Sequence, residues 1–253
     1  MNKEFNLDLA VARLRGAKDL PQLEAAMIEL TARLGFDQFA LGHHVDLLSP
    51  PGDAIRLTNY HPDWIDQSLE KGYFTIDPVH AVSARLVSPF IWTELDRHMV
   101  LGDHHRHILD SAARYGLKVG ITIPVHMPGE YQGTCSFAAR DFERLHPYAF
   151  ALAQAVATHA FESARRIIRA LNDVEPLTIP HVSPRAREAM ILVGRGKTDD
   201  EIGSVLGISR TTAHGHVETA RRIYGNAQRS LMVLRAIFDG VITYADVFGR
   251  NAF

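Results

Sequence analysis

The chain has 253 residues, more than a single ordinary hydrophobic core requires, so we expect two domains. Its residues are 46% hydrophobic and 22% charged, which is typical of a globular protein without low-complexity tracts. The net charge of −2 excludes a protein that coats nucleic acid without regard to sequence, because that activity requires a large positive excess.

The amino-terminal residues and the cysteine content indicate the compartment. Met1 to Leu7 are polar and acidic where a signal peptide has an apolar core, and about 18 uninterrupted apolar residues occur nowhere. We therefore expect a cytoplasmic protein without a membrane partner. Cys135 is the only cysteine, which excludes an intramolecular disulfide and a cysteine-based metal site.

Residues 1–171 alternate between helical and strand-like patterns. In chain order the predicted elements are a helix over Leu20–Leu34, strands over Phe36–Gly42 and Arg56–Asn59, helices over Trp64–Lys71, Ser83–Leu86 and His105–Tyr115, strands over Gly120–Val125 and Gly133–Ala138, and a helix over Pro147–Ala170. They predict an α+β fold, in which an antiparallel sheet lies between helices as an α-β-α sandwich and a cavity can open between layers.

Aromatic and polar residues within this domain have the composition of a ligand pocket. They are Tyr60, Trp64, Asp77, Trp92 and Ser136. An indole N–H and hydroxyl groups can donate, and a buried aspartate needs a donor, so a ligand with an amide would satisfy the set. Packing of the aromatic rings in a core is the alternative, and composition alone does not decide between them.

Residues 172–181 carry two prolines and lack a hydrophobic period, so they are predicted to be a linker. Residues 182–253 then form a small all-α domain. From residue 181 onward, 10 Lys and Arg oppose 7 Asp and Glu, whereas residues 1–180 carry 17 against 22. A modestly basic domain attached to an acidic one fits a protein that reads a DNA sequence.

Two helices joined by a short turn are predicted within the second domain. Thr198 and Glu201 form a capping box, and Ile202, Val205 and Leu206 are predicted to share a buried face. Gly207 ends the first helix, Ile208 fills the turn, and Ser209 caps a second helix that extends to about Ile223. The side chains predicted to be exposed for DNA are Arg210, Thr211, His214, Arg221 and Arg222.

Both halves together resemble the LuxR-type quorum-sensing regulators, which join an autoinducer-binding domain to a helix-turn-helix. The matching residues are Asn59-Tyr60, Trp64, Asp77-Pro78-Val79, Trp92 and Gly120-Ile-Thr-Ile-Pro124. The resemblance implies that Trp64 donates to the lactone carbonyl of an acyl-homoserine lactone and Asp77 accepts from its amide N–H. It also implies that Tyr60 and Ser136 hold the acyl carbonyl, that Trp92 walls the pocket, and that an apolar tunnel takes the tail.

The same resemblance extends to the DNA-binding half. It places Thr198, Ser209, Thr212 and His216 with the exposed basic side chains in the DNA-binding set, although Gly215 is unusual in a recognition helix. A departure in the pocket is Ser68, where the family usually has Tyr. Either the pocket is enlarged for a branched or aryl acyl group, or Tyr73 fills the gap.

The histidines do not indicate chemistry. The run Asp103-His-His-Arg-His107 and the pair His43-His44 lack the spacing of a metal or catalytic site, so we expect solvated or capping roles, no metal, no catalytic residue and no enzyme activity.

The expected protein is a ligand-responsive transcriptional regulator whose only small molecule is the effector. Its expected partners are promoter DNA, a second copy of the chain and RNA polymerase. Dimerisation is expected because one helix-turn-helix contacts few base pairs, and Phe150, Leu152, Val156 and Phe161 could pair with a partner or pack in the core. The alternative is a regulator of the same fold that senses another metabolite or binds DNA without a ligand.

Overall fold

A computed structural model describes residues 5–45, 48, 50–127, 131–172 and 180–249. Residues 5–126 and 131–172 form one compact unit, and residues 180–249 form another. The predicted linker, residues 172–181, falls mostly outside the described residues, so its boundaries remain a prediction. No helix within the described ranges is both long enough and apolar enough to cross a membrane.

Five antiparallel strands form the sheet of the first unit. They are β1 Gln38–His43, β2 Arg56–Thr58, β3 Phe90–Ile91, β4 Val119–Val125 and β5 Gly133–Ala139. Their order across the sheet is β2-β1-β5-β4-β3. The predicted hairpin of β4 and β5 is confirmed, with Thr122 opposite Ser136, and Ser136 also lies opposite Ala40 of β1.

Helices cover both faces of this sheet. They are α1 Leu7–Gly16, α2 Leu20–Leu34, α3 Pro62–Glu70, α4 Pro78–Ser83, α5 Asp103–Ala113 and α6 Ala149–Leu171. The first face packs against α1, α2 and α6 through Phe39, Leu41 and Phe137. The second face meets α3 and α5, whose Trp64 and Ile108 cluster with Ala138. The predicted α+β sandwich is confirmed.

Strand alternation decides which side chains face the second helical layer. Successive strand residues point to opposite faces, so Ala40 and Gly42 of β1 share one face. Thr134 and Ser136 of β5 and Thr122 of β4 are on the same face by register. Because these side chains are small or polar, they leave space beneath the helices.

Several predicted helix boundaries in this unit are displaced, including those of α3 and α5, which begin at Pro62 and Asp103 instead of Trp64 and His105. The helix predicted over Ser83–Leu86 corresponds to α4, which ends at Ser83. It starts at Pro78 because Asp77 accepts a hydrogen bond from the Val79 backbone N–H. The long helix begins at Ala149 instead of Pro147. Helix α1 and strand β3 were not predicted.

The second unit consists of helices. They are α7 Pro184–Gly194, α8 Asp199–Leu206, α9 Arg210–Ile223, α10 Arg229–Phe238 and α11 Tyr244–Phe248. The Thr198–Glu201 capping box and the Ser209 cap are confirmed, and Gly207 ends α8 with φ of 67°. Ile202 and Leu206 pack against α7 and α9, and Ile208 contacts the same core.

The prediction that Val205 is buried is wrong, because its residue surface is 60% exposed. A Cβ atom on Gly203 would lie 2.8 Å from the Ile208 carbonyl oxygen, so the end of α8 passes very close to the turn. This close approach buries Gly203 with Ile202 and directs Val205 to solvent.

Candidate ligand pocket and DNA-binding surface

A cavity of about 220 Å³ lies between the second face of the sheet and the helices that cover it. Five residues predicted from the sequence line it together, namely Tyr60, Trp64, Asp77, Trp92 and Ser136. The other walls include small residues of β1 and apolar residues of α4 and α5, namely Ala40, Gly42, Val79, Ile108, Leu109 and Ala112. The cavity is large enough to take a small organic molecule.

Trp64 enters the cavity from the first turn of α3. The helix is capped by His61, whose Nδ1 accepts a hydrogen bond from the Asp63 backbone N–H. The Trp64 ring packs against Tyr73 and Tyr115, with centroid distances of 5.9 and 5.8 Å. Its indole N–H has no hydrogen-bond partner in the described part of the chain, so the ring is held in place with its donor available.

Asp77 has one carboxylate oxygen in the fold and one available to a ligand. Its Oδ1 accepts a hydrogen bond of 2.7 Å from the Val79 backbone N–H. No described residue donates to Oδ2. Burial, and next the negative charge of Asp77, raises the pKa of the Tyr60 hydroxyl, which therefore stays protonated and can donate.

Trp92, Thr122 and Ser136 form a hydrogen-bonded chain across the cavity wall. The Trp92 indole N–H donates to Thr122 Oγ1 at 2.8 Å, and the Thr122 and Ser136 hydroxyls are 2.8 Å apart. Trp92 therefore serves as a wall and has no indole donor left for a ligand. A Cβ atom on Gly120 would lie 2.8 Å from the Trp92 ring, so a glycine is required where the ring packs on β4.

Sequence reasoning missed Thr122, whose buried hydroxyl joins the two cavity-lining residues Trp92 and Ser136. Its position could have been inferred, because it has the same strand parity as Gly120 and lies opposite Ser136.

Ser68 and Tyr73 are not brought to the cavity. Both hydroxyls are buried without a hydrogen-bond partner in the described chain. Tyr73 is packed against Trp64, on the outer side of the pocket wall, in the cluster that also holds Ile108 and Ala112. Their assignment to the ligand site is therefore corrected. Tyr73 supports the Trp64 ring, and the two alternatives for position 68, an enlarged pocket or a gap filled by Tyr73, stay predictions.

The expectation of solvated or capping histidines is wrong for His44 and right for His105. The His105 ring accepts from the Gly102 backbone N–H at the start of α5. His44 lines the cavity together with His80, and the two rings stack at 4.1 Å. Burial, and then neighbouring His80, His126 and His43, lowers the pKa of His44 to about 3, so this ring is neutral. No cluster of potential metal ligands occurs in the described ranges.

The exposed surface of α9 carries most of the residues predicted to contact DNA. Ser209, Arg210, Thr211, Thr212, His214 and Arg222 are exposed, and His216 is partly buried. The Thr212 hydroxyl is 2.8 Å from the Ser209 cap. Thr198 is exposed at the start of α8 but is hydrogen-bonded to Glu201 within the capping box. Arg210, Thr211 and His214 therefore lie near the start of α9, whereas Arg222 lies in its last turn.

Arg221 has a structural role. Its guanidinium donates to the backbone carbonyl oxygens of Ala227 and Asn226 and to the Glu218 carboxylate. These contacts satisfy the carbonyl oxygens of the turn that follows α9. The prediction that Arg221 contacts DNA is not supported by these contacts, because three of its five N–H groups already donate within the unit.

Asp199 joins the two helices of the motif, which sequence reasoning did not detect. Its carboxylate is 2.8 Å from His214 Nδ1 and 2.7 Å from an Arg229 guanidinium nitrogen. Burial alone would raise the pKa of Asp199, but the hydrogen bonds from His214 and Arg229 lower it overall. Asp199 therefore stays ionised and orients His214, a predicted DNA contact, together with Arg229.

Comparisons with known proteins agree on one family. A model of the autoinducer binding domain matches residues 19–164. The HTH-type transcriptional regulator y4qH of Sinorhizobium fredii is 33% identical over 75% of this chain, although the match spans only 57% of that relative. The quorum sensing-dependent regulator RpaR of Rhodopseudomonas palustris is 29% identical over 88% of this chain and 90% of its own length.

Solved structures share the fold. SdiA in complex with octanoyl-rac-glycerol superposes with a TM-score of 0.60 at 20% identity, covering 96% of this chain and 99% of that chain. A second structure, of Escherichia coli SdiA, has a TM-score of 0.61 over 93% of this chain and 97% of that chain. The relatives named above are transcriptional regulators and not enzymes.

Proposed function

Because this chain belongs to the LuxR-type family of autoinducer-binding transcriptional regulators, we propose that it binds an N-acyl-homoserine lactone and, as a homodimer, promoter DNA. The observation that carries the proposal is the convergence on one cavity of an available indole N–H on Trp64, an available carboxylate oxygen on Asp77 and the protonated hydroxyl of Tyr60. A ligand with one amide N–H and two carbonyl groups satisfies all three.

We assign the ligand to residues 1–171, with straight, branched and aryl acyl groups all as candidates. Trp64 donates to the lactone carbonyl, Asp77 Oδ2 accepts the amide N–H, and Tyr60 with Ser136 holds the acyl carbonyl. Each contact satisfies a polar group in a largely apolar site, where an unpaired group costs about 1–3 kcal/mol. The ligand therefore stabilises the domain and favours the conformation that binds DNA.

We assign DNA contact to residues 182–253, through the exposed surface of α9. Arg210, Thr211 and His214 lie near the amino-terminal end of this helix, which is the end that contacts base edges in helix-turn-helix proteins. The predicted cytoplasmic location and RNA polymerase as a partner belong to the same proposal, because a promoter-bound regulator acts where transcription occurs.

Only part of the dimerisation surface expected from the sequence is exposed, because Phe150 of α6 is 37% exposed whereas two other residues are not. Val156 and Phe161 of α6 are buried in the core of their own unit, so they are not available to a partner. Leu234 of α10 is 62% exposed, and Leu231 on the same helix is also exposed. We propose that α10 contributes to the homodimer, because exposed large apolar side chains in a cluster are typical of interfaces.

One specific observation favours a second candidate function. SdiA shares the fold and is complexed with octanoyl-rac-glycerol, which has an ester and hydroxyl groups instead of a lactone amide. A hydroxyl group can also donate to Asp77 Oδ2, so a monoacylglycerol is the alternative effector.

The test is a thermal melting series on the full chain, with homoserine lactones that have straight, branched or aromatic acyl groups and with octanoyl glycerol. A ligand at about 100 times its Kd adds about 2.7 kcal/mol, which raises the melting temperature of a domain of this size by roughly 5–10 °C. A shift with a homoserine lactone alone supports the proposal. A shift with the glycerol ester alone supports the alternative, and no shift with any compound contradicts both.

A further inference from the structure

The cavity has a second polar region, apart from the residues that match the family pattern. Thr134 lies two residues before Ser136 on the same face of β5 and also lines the cavity. In the same cross-strand row, Thr134 lies opposite Gly42, and Gly42 lies opposite Arg56. Arg56 lines the cavity at its rim, and its guanidinium has no hydrogen-bond partner among the described residues.

Two histidines close this region. His44 Nε2 is 3.1 Å from Thr134 Oγ1, and the His44 ring stacks on His80 of α4. His80 Nδ1 is 3.4 Å from the Phe74 carbonyl oxygen, which fixes the ring against the turn before α4. The pair also borders a second cavity of about 560 Å³, so it is the wall where the first cavity ends.

The proposed ligand contacts determine which part of the effector reaches this wall. Trp64, which takes the lactone carbonyl, clusters with Ile108, Ala112 and Leu117. Ser136 takes the acyl carbonyl, which follows the amide along the ligand. The acyl chain therefore continues away from the Trp64 cluster, past Ser136 and toward Thr134.

We propose that the acyl group of the effector carries a hydrogen-bonding oxygen at its far end, bound by His44, Thr134 and Arg56. The inference rests on the proposed function and makes its ligand class narrower. An apolar tunnel was expected for the tail, but the wall opposite the tail presents imidazole, hydroxyl and guanidinium groups. A hydroxyl group can accept from Arg56 and donate to Thr134 Oγ1, which His44 Nε2 holds at 3.1 Å, whereas a methyl group can do neither.

The strand geometry sets the position of this oxygen. Thr134 and Ser136 are two residues apart along β5, which corresponds to about 7 Å. An extended chain covers about 3.4 Å in three covalent bonds, so the oxygen lies roughly six bonds beyond the acyl carbonyl carbon. A 6-hydroxyhexanoyl group meets this requirement.

The experiment measures Kd by titration calorimetry on the full chain with N-hexanoyl-homoserine lactone and N-(6-hydroxyhexanoyl)-homoserine lactone. We expect the hydroxylated ligand to bind about five- to tenfold more tightly, as one further hydrogen bond predicts. In His44→Phe, which keeps an aromatic ring to stack on His80, the ratio should fall to about one. Thr134→Val provides the same test if His44→Phe does not fold, and ligand-free melting curves report the folding of each variant.

Three outcomes are distinguishable. Tighter binding of the hydroxylated ligand that is lost in the variant supports the inference. Equal binding, or tighter binding of the hexanoyl compound, overturns the inference and leaves the proposed function intact, as does an advantage that both variants retain. If neither compound, nor any other homoserine lactone of the melting series, binds the wild-type chain, the proposed function and this inference are both overturned.

Discussion

Asp77→Asn separates the role of this side chain in ligand binding from its role in the fold. Asp77 Oδ1 caps α4 through the Val79 backbone N–H, and Asn caps helices about as well as Asp does. The second oxygen becomes an NH₂ group, which donates and cannot accept. The amide N–H of the ligand would then face another donor.

The two carboxylate oxygens of Asp77 set the expected losses of affinity and of stability separately. Loss of a hydrogen bond to a charged acceptor costs about 1.5–3 kcal/mol, which raises Kd roughly 10- to 150-fold. Because the cap is retained, the ligand-free protein should lose less than about 1 kcal/mol. Asp77→Ala is the matched control. It removes the acceptor and the cap together, so the ligand-free melting temperature should also fall, by the equivalent of about 0.5–2 kcal/mol.

The assay is calorimetric titration with the homoserine lactone that gives the largest melting shift, together with ligand-free melting curves of all three proteins. If Asp77→Asn binds that ligand within threefold of the wild type, Asp77 does not accept from the ligand and the assignment of the site is refuted. If Asp77→Asn and Asp77→Ala lower the ligand-free melting temperature equally, the capping argument is wrong.

Three further predictions concern glycine packing, acid stability and the DNA-binding surface. Gly203→Ala should destabilise the chain by about 1–3 kcal/mol, because its Cβ would lie 2.8 Å from a backbone oxygen. Gly215→Ala has open space around it and should stabilise the chain by about 0.5–1 kcal/mol. Equal effects of the two substitutions in urea unfolding would contradict the packing argument. Because burial depresses the pKa of His44 in the folded state, the unfolded chain binds the extra proton below its ordinary value of 6.5. Stability should therefore fall as the pH is lowered from 6.5 toward 3, by up to about 1.4 kcal/mol per pH unit, and more steeply in the wild type than in His44→Phe; parallel melting profiles would count against a buried neutral ring. Arg210→Ala should weaken binding to a promoter fragment selected by the wild type without changing the melting temperature, whereas Arg221→Ala should lower the melting temperature; the reverse pattern, in gel-shift and melting experiments, would exchange their roles.

Features that depend on neighbours in sequence could be predicted well. Thr198 and Ser209 each cap a helix through a backbone N–H three residues ahead, so the cap and its partner lie within one turn. The β4–β5 hairpin follows from strand alternation over contiguous residues. The five pocket residues required more, because they come from separate elements, and the family resemblance supplied their grouping.

Features that depend on how closely a helix approaches the turn that follows it could not be predicted. The exposed Val205 follows from how closely α8 approaches the turn at Gly203, and nothing in the apolar spacing of α8 reports that distance. Arg221 resembles the exposed basic residues beside it, but the chain beyond α9 folds back and places two carbonyl oxygens against its guanidinium.

The sequence by itself determined the α-β-α class, the helix-turn-helix and the family pattern of the ligand site, because caps, glycines and periodicity act over a few residues. Only the tertiary structure decided which polar groups are left available in the cavity. The indole N–H of Trp64 is available to a ligand, whereas the indole N–H of Trp92 donates to Thr122. The sequence alone does not distinguish the two tryptophans. The difference arises because strand register, which joins residues far apart in the chain, places a hydroxyl beside one indole and not the other.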